Sequence, residues 1–210
     1  MSKFFSFAGL PGSFVLTFLM SIFALILALI EKTPARWLCF GAMALSSVGD
    51  VFLMDFRGLS RRFPNYFLIG ASFFLAAHLI YSGAFAFLIR QNGFRLVNGA
   101  FWSALFLSGV VLLFFLLRSK NTAMMVLLFV YLAVITLNCA LIFSYTQSAF
   151  SHSFLVILGA LGALSFYLSD LIIGLGIFMG ISRFDFLIWW LYPIGQILLL
   201  GAPKGIYNKL

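Results

Sequence analysis

Residues 154–178 read FLVILGALGALSFYLSDLIIGLGIF, and Asp170 is the only charged residue among them. A helix needs about 20 predominantly apolar residues to cross the hydrocarbon core of a bilayer, and this stretch is long enough. A helix that is apolar on every side is buried in a large protein or in lipid. The stretch therefore predicts a membrane-spanning helix that carries an aspartate into the bilayer.

The rest of the chain has the same character. Of its 210 residues, 64% are hydrophobic and 9% are charged, whereas a soluble domain is roughly half apolar and about one quarter charged. Lipid is therefore the expected solvent. Charged residues divide the chain into apolar runs, which are Phe4–Ile30, Trp37–Met54, Phe63–Ile89, Leu96–Leu117, Asn121–Ser182 and Phe186–Pro203.

The fifth run is long enough for two helices, and its polar segment Tyr145–Ser153 predicts the turn between them. The first run is too long for the apolar core of a cleavable signal peptide, so we expect it to be a helix of the mature protein. We therefore predict an all-α fold, a polytopic transmembrane helical bundle of about seven helices. It would form a single domain over residues 1–210.

The formal net charge of +8 comes from basic residues at the ends of the apolar runs, Arg36 and Arg90 among them. At these positions we expect them to meet lipid headgroups and to influence topology, not to bind nucleic acid. They divide almost evenly between the two sides of a seven-helix arrangement, which leaves the orientation open. The arginines of the Arg57–Arg62 segment suit an anionic headgroup.

Three ionisable residues lie within the apolar runs: Asp50, His78 and Asp170. Each is costly at membrane depth, by about 2.5–3.5 kcal/mol on insertion scales, so such residues face protein or water and are candidates for function. Asp50 could instead position the loop that follows its helix. Asp170 could make a purely structural hydrogen bond between helices, and His78 could be a packing residue.

Neutral polar residues accompany them at helical spacing. Tyr81 follows His78 by three residues, and Tyr167 precedes Asp170 by three on a stripe that also holds the small residues Gly159, Ala163 and Gly174. Gln196 follows Tyr192 by four, and Asn138 lies in a heptad-spaced stripe with Tyr131 and Tyr145. Interhelical hydrogen bonds are the alternative role for the last two sets. If these faces converge, they form a narrow polar cleft.

The residue inventory excludes several kinds of site. His78 and His152 are the only histidines, so the three-histidine zinc site of seven-helix lipid amidases cannot form. Gly70-Ala-Ser72 is followed by Phe73, where an intramembrane serine protease would benefit from glycine. There is no glycine-rich phosphate loop and no Gly-x-Ser-x-Gly motif. We therefore expect no metal and no other cofactor.

Two pairs of segments carry a resemblance. Ser46–Met54 holds a Gly-Asp pair near a helix end, and Phe67–Tyr81 holds a Gly…Phe…His-x-x-Tyr pattern. Gly159–Asp170 ends in Ser-Asp, and Tyr192–Gln196 reads Tyr-Pro-Ile-Gly-Gln. In this order and spacing, from about Pro11 onwards, they resemble the YhhN-like (lysoplasmalogenase) family. Its members are usually drawn with eight helices, whereas we expect about seven here, without the family's first. The family has Lys-Pro at the start of its second helix, and this chain has Leu10-Pro11 there.

The resemblance implies a membrane hydrolase that cleaves the vinyl-ether bond of lysoplasmalogens, lysoplasmenylcholine or lysoplasmenylethanolamine, to a fatty aldehyde and a glycerophospho-headgroup. It implies a lysophospholipid substrate, membrane lipids as neighbours, and a place in the cell (inner) membrane of a bacterium. Asp50 and Asp170 would be the catalytic pair, with Asp170 as general acid and Asp50 guiding water, or the reverse. The expected substrate-binding residues are His78, Tyr81, Tyr167, Tyr192, Gln196 and Asn138.

Two other classes of function fit the same residues. In a lipid transporter or proton-coupled carrier, Asp50 and Asp170 would be relay groups, although the chain has no convincing internal repeat. A structural or lipid-sensing membrane protein would use them only for packing. Aldehyde release from lysoplasmalogen separates the hydrolase from both.

Overall fold

The structure is a computed structural model that describes residues 6–7, 10–91, 96–116, 122–149, 154–181 and 183–205 of the chain. Within these ranges the chain forms seven α-helices, which confirms the all-α prediction. They are α1 (Gly12–Glu31), α2 (Pro34–Leu53), α3 (Tyr66–Gln91), α4 (Leu96–Leu116), α5 (Thr122–Ala149), α6 (Phe154–Met179) and α7 (Asp185–Gly201). Short 3-10 helices cover Phe56–Arg61 and Ala202–Gly205.

The first helix begins later than the first apolar run. Two short strands, β1 (Ser6–Phe7) and β2 (Leu10–Pro11), pair antiparallel, and α1 begins at Gly12. Pro11 has no amide hydrogen to donate to a preceding turn, so it is accommodated before a helix and not inside one. Hydropathy therefore predicted where this helix ends but not where it starts.

The start of α2 contains a buried ion pair. Thr33 is the N-cap, and its hydroxyl accepts a hydrogen bond from the Arg36 amide at 3.3 Å. The Arg36 side chain is only 2% exposed, so the expectation that it meets lipid headgroups is wrong. Its Nε and Nη2 donate to the two carboxylate oxygens of Glu31 at 2.7 and 2.9 Å. This bidentate pairing offsets part of the free-energy cost of removing the Arg36 charge from water.

The helices form two compact units, and the boundary lies within α3, between Tyr81 and Ser82. In the first unit, α1 and α2 share a cluster of hydroxyls. Ser21 Oγ lies 2.7 Å from Ser47 Oγ, and both hydroxyls lie within 3.2 Å of the carbonyl oxygens of Thr17 and Met43. Such hydrogen bonds hold helices together in lipid, where burial of apolar surface does not drive helices to associate. A single domain over residues 1–210 stays a prediction.

In the second unit, α6 and α7 approach each other through glycines. A β-carbon on Gly195 would lie 2.9 Å from the carbonyl oxygen of Gly162 and from the amide nitrogen of Phe166. Both distances are too short for a real carbon contact, so only glycine allows the two backbones to meet here. Leu128 and Leu132 of α5 pack on Val110 of α4 in a buried apolar cluster.

The turn between α5 and α6 begins later than its polar residues indicated. Tyr145 and Thr146 are still helical, and α5 continues to Ala149. The Thr146 hydroxyl lies 2.8 Å from the carbonyl oxygen of Ile142 and 3.2 Å from that of Val156. A hydroxyl that bonds back to its own helix does not end it. The rest of the predicted turn, residues 150–153, lies outside the described residues.

Four described segments are long and apolar enough to cross a membrane: Pro34–Leu53, Tyr66–Gln91, Thr122–Gln147 and Val156–Gly176. Three shorter apolar segments are Val15–Glu31, Gly99–Leu113 and Asp185–Gly201. Large apolar side chains cover the outer surfaces of several helices, and Ile30, Phe101 and Trp190 are 71%, 63% and 67% exposed. Lipid, not water, is the solvent for such a surface. The chain is a membrane protein.

Candidate active site

Asp50 lies in the last turn of α2, and its side chain is 4% exposed. The preceding residue, Gly49, packs tightly against α3. A β-carbon on Gly49 would lie 2.7 Å from the Phe74 ring and 3.2 Å from the carbonyl oxygen of Gly70. The glycines and the phenylalanine of the sequence motif are therefore packing residues. They hold the turn that carries Asp50 against α3.

His78 and Tyr81 lie further along α3, in the same unit as Asp50, and are 2% and 1% exposed. The Tyr81 hydroxyl donates to the Met43 sulfur at 3.9 Å. Met43 precedes Asp50 by two helical turns, so both residues lie on one face of α2. Tyr81 therefore packs on the face that carries Asp50.

Asp170 is half-buried in α6. Its Oδ2 accepts a hydrogen bond from the Tyr131 hydroxyl of α5 at 2.7 Å. A phenol hydroxyl that donates to one oxygen of a carboxyl group fixes the orientation of that group. Tyr131 was not among the predicted site residues. The signal was its place in the heptad-spaced stripe, whose predicted interhelical bond is confirmed at this position.

Tyr167 lies one helical turn before Asp170 on α6, and Asn138 lies on α5 with Tyr131. The Tyr167 ring packs edge-on against Phe106 of α4, with ring centroids 6.0 Å apart. Its hydroxyl lies 3.7 Å from the point where a β-carbon on Gly109 would stand. Asn138 is 2% exposed, two turns along α5 from Tyr131. Tyr167 thus lies where α6 contacts α4, and Asn138 is a buried residue of α5.

Tyr192 and Gln196 lie on α7, one turn apart, and are 7% and 0% exposed. The Tyr192 ring packs against Phe166 of α6, with centroids 5.2 Å apart. Between them Gly195 meets α6 at the close contact with Gly162. The motif Tyr-Pro-Ile-Gly-Gln therefore combines one packing glycine with two buried polar side chains that face the protein interior.

The predicted site residues form two sets. Asp50, His78 and Tyr81 belong to the first unit. The second unit holds Asn138, Tyr167, Asp170, Tyr192 and Gln196, together with Tyr131. The convergence of the two sets in one cleft stays a prediction. Within the described residues, no three His, Cys, Asp or Glu side chains are grouped as a metal site would require.

Asp55 is the residue that orders the loop after α2, a role that the sequence left open for Asp50. Its Oδ1 accepts from the Ser60 amide at 2.6 Å, and its Oδ2 accepts from the Ser60 hydroxyl at 2.8 Å. The sequence did not indicate Asp55 as a site residue, because only ionisable residues within the apolar runs were candidates and Asp55 follows such a run. The polar turn Asp55–Ser60, with a glycine inside, was the available signal.

Comparison with known proteins gives one match. The sequence profile of the YhhN family matches residues 13–202, which include every predicted site residue. No curated protein and no solved structure is significantly similar to the chain.

Proposed function

The chain belongs to the YhhN family, and on that premise we propose that it is a lysoplasmalogenase-like ether hydrolase. The reaction would release a fatty aldehyde and a glycerophospho-headgroup from a lysoplasmalogen. The observation that carries the proposal is the hydrogen bond at 2.7 Å between Tyr131 and the carboxyl group of Asp170. It gives a carboxyl group within an apolar helix a fixed orientation, which acid–base catalysis requires.

The chemistry needs one acid and one base. The acid adds a proton to the β-carbon of the vinyl ether, and the α-carbon becomes an oxocarbenium ion. Water then attacks the α-carbon and gives its proton to the base, which produces a hemiacetal. Collapse of the hemiacetal moves its hydroxyl proton to the glycerol oxygen, which leaves as the alcohol, and forms the aldehyde. A proton then passes from the base back to the acid, which restores both groups. The sequence of states parallels glycoside cleavage by two carboxyl groups.

We assign the acid to Asp170 and the water-guiding base to Asp50. Tyr131 supports the assignment to Asp170, because a carboxyl group held at one oxygen presents its plane to a substrate in a defined way. Asp50, 4% exposed, is shielded from competing solvent. His78, Tyr81, Tyr167, Tyr192, Gln196 and Asn138 would bind the lipid or position the water. The membrane concerned would be the cell membrane of a bacterium.

The test is aldehyde release from lysoplasmenylethanolamine by the purified protein. Asp50→Asn and Asp170→Asn should each lower kcat by about 10²–10⁴-fold, the usual contribution of general acid–base catalysis. The double variant should be little worse than either single one, because residues that act as a unit are not additive. Asp185→Asn, the same change at the start of α7, is the control and should retain activity.

Three results would contradict the proposal. Full activity in both single variants would remove the aspartates from the mechanism. Cleavage of acyl lysophospholipid alone would make the protein an esterase. Flux of protons or lipid through liposomes without aldehyde release would favour the carrier, in which Asp50 and Asp170 are relay groups.

A further inference from the structure

The connection between α2 and α3 has an unusual backbone. Asp55, Arg57 and Gly58 all lie in the left-handed region, with φ of 51°, 54° and 73°. Left-handed residues other than glycine cost free energy and persist only where surrounding contacts hold them. Two such residues, Asp55 and Arg57, lie within this one short loop, so its conformation depends on the contacts that hold it.

Contacts at both ends hold the loop. Both carboxylate oxygens of Asp55 bind Ser60, one through its amide and the other through its hydroxyl. Beyond the loop, the Phe63 ring packs edge-on against Phe52 of α2, with centroids 6.0 Å apart. Phe52 in turn stacks on Phe73 of α3 at 5.8 Å. The loop is thus anchored to both helices that it joins.

The anchored loop displays three cations. Arg57, Arg61 and Arg62 are exposed, and no carboxylate pairs with them in the part of the chain that the structure describes. The one acidic group of the loop, Asp55, is engaged by Ser60. Arg57 is stacked on Phe56, with its guanidinium carbon 5.3 Å from the ring centroid. Unpaired guanidinium groups beside a membrane are suited to phosphate oxygens.

We propose that the loop Asp55–Arg62 binds the phosphate of a lysophospholipid headgroup, and that Asp55 is its positioning residue. The loop continues directly from the turn of Asp50, whose carbonyl oxygen accepts from the Met54 amide at 3.0 Å. The loop therefore begins about one helical turn, or about 6 Å along the helix axis, from Asp50. The inference rests on the proposed function for the identity of the lipid as substrate.

The test compares two probes in detergent micelles. One is a saturated alkyl-ether lysophosphocholine, which has no vinyl bond to hydrolyse, and the other is the matching alkylglycerol without phosphate. The ratio of their affinities is the phosphate preference of the protein. Affinity for the alkylglycerol in the same variant reports whether the protein remains folded.

Two substitutions at one position separate loop shape from charge. Asp55→Ala should lower the phosphate preference by at least about five-fold, the contribution of one arginine near a phosphate. Asp55→Asn should retain it, because asparagine keeps an acceptor oxygen for the Ser60 amide and tolerates a left-handed backbone. Electrostatics alone predicts the opposite result, since removal of a negative charge would raise the phosphate preference in both variants.

The arginines have a matched control elsewhere. Arg57→Gln and Arg61→Gln should each lower the phosphate preference by about five-fold. Arg183→Gln should not, although Arg183 is also exposed and is stacked on a neighbouring ring, that of Phe184 at 4.5 Å. Equal losses in all three variants would overturn the assignment to this loop.

The remaining outcomes are also decisive. An unchanged or higher phosphate preference in Asp55→Ala overturns the proposal, whether or not aldehyde is released. If the variants show the expected phosphate preferences but the protein releases no aldehyde, the phosphate site is supported and the proposed reaction is wrong. If phosphatidylglycerol added to the micelles abolishes the phosphate preference, the loop binds bulk anionic lipid and the assignment to substrate is wrong.

Discussion

At the scale of single residues, the bond between Tyr131 and Asp170 connects two features that the sequence presents separately. The sequence indicates Asp170 as a site residue because a carboxyl group is costly inside a bilayer. It indicates Tyr131 only as a member of a polar stripe on α5. Their pairing at 2.7 Å depends on how α5 and α6 are aligned along each other. The spacing of residues within one helix does not predict how two helices are aligned.

We predict that Tyr131→Phe lowers kcat/KM for lysoplasmalogen by about 2- to 10-fold, the equivalent of one hydrogen bond between neutral groups, because Asp170 is proposed to act as the protonated acid. Phenylalanine fills the same space, so thermal unfolding should change little. Tyr145→Phe is the control on the same helix and should retain activity, since Tyr145 packs on Phe85. Equal kinetics in both variants would show that the hydroxyl on Asp170 has no part in turnover.

At the scale of helices, close contacts through glycine position the functional residues. The predicted stripe of α6 included Gly159, which does pack against Ala202, but the closest backbone contact uses Gly162 instead. Gly195 of α7 lies opposite, between Tyr192 and Gln196. The polar residues of α7 are therefore fixed in place by the glycine between them.

We predict that Gly195→Ala lowers the free energy of unfolding by about 1–3 kcal/mol, as overpacking usually does. Alanine favours a helix more than glycine does, so any loss must come from the clash with Gly162 and Phe166. Gly201→Ala is the control on the same helix, because a β-carbon there would meet no atom within 4 Å. Thermal unfolding in detergent measures both. Equal stability of the two variants would contradict the close contact.

At the scale of the whole molecule, most helix ends follow from composition. Charged residues and proline bound the apolar runs, and the predicted Trp37–Met54 became Pro34–Leu53. Two predicted helix ends were wrong. At Pro11 the chain pairs as a strand before the helix begins. At Thr146 the polar side chain bonds to its own helix and does not end it. In the candidate site, the free-energy cost of an ionisable side chain inside the bilayer identified Asp50 and Asp170. It could not identify Asp55, whose role depends on left-handed backbone outside the spans.

Seven crossings would place the two ends of the chain on opposite sides of the membrane. We therefore predict that reporters fused to residues 1 and 210 respond oppositely, with a fluorescent protein active on the cytoplasmic side and alkaline phosphatase active on the other. An even number of crossings, as the eight-helix drawing of the family implies, would give the same response at both ends. That result would contradict seven crossings.

The neighbouring residues Gly49 and Asp50 are subject to different selective pressures. Gly49 is required by the approach of Gly70 and Phe74, whatever the protein does. Asp50, 4% exposed, is not required by that close approach, and the proposed reaction assigns it the water-guiding role. In a lineage without the proposed reaction, the aspartate would be free to change while the glycine would stay. Glycine without aspartate at this point would therefore mark a relative that kept the helix packing and lost the proposed reaction.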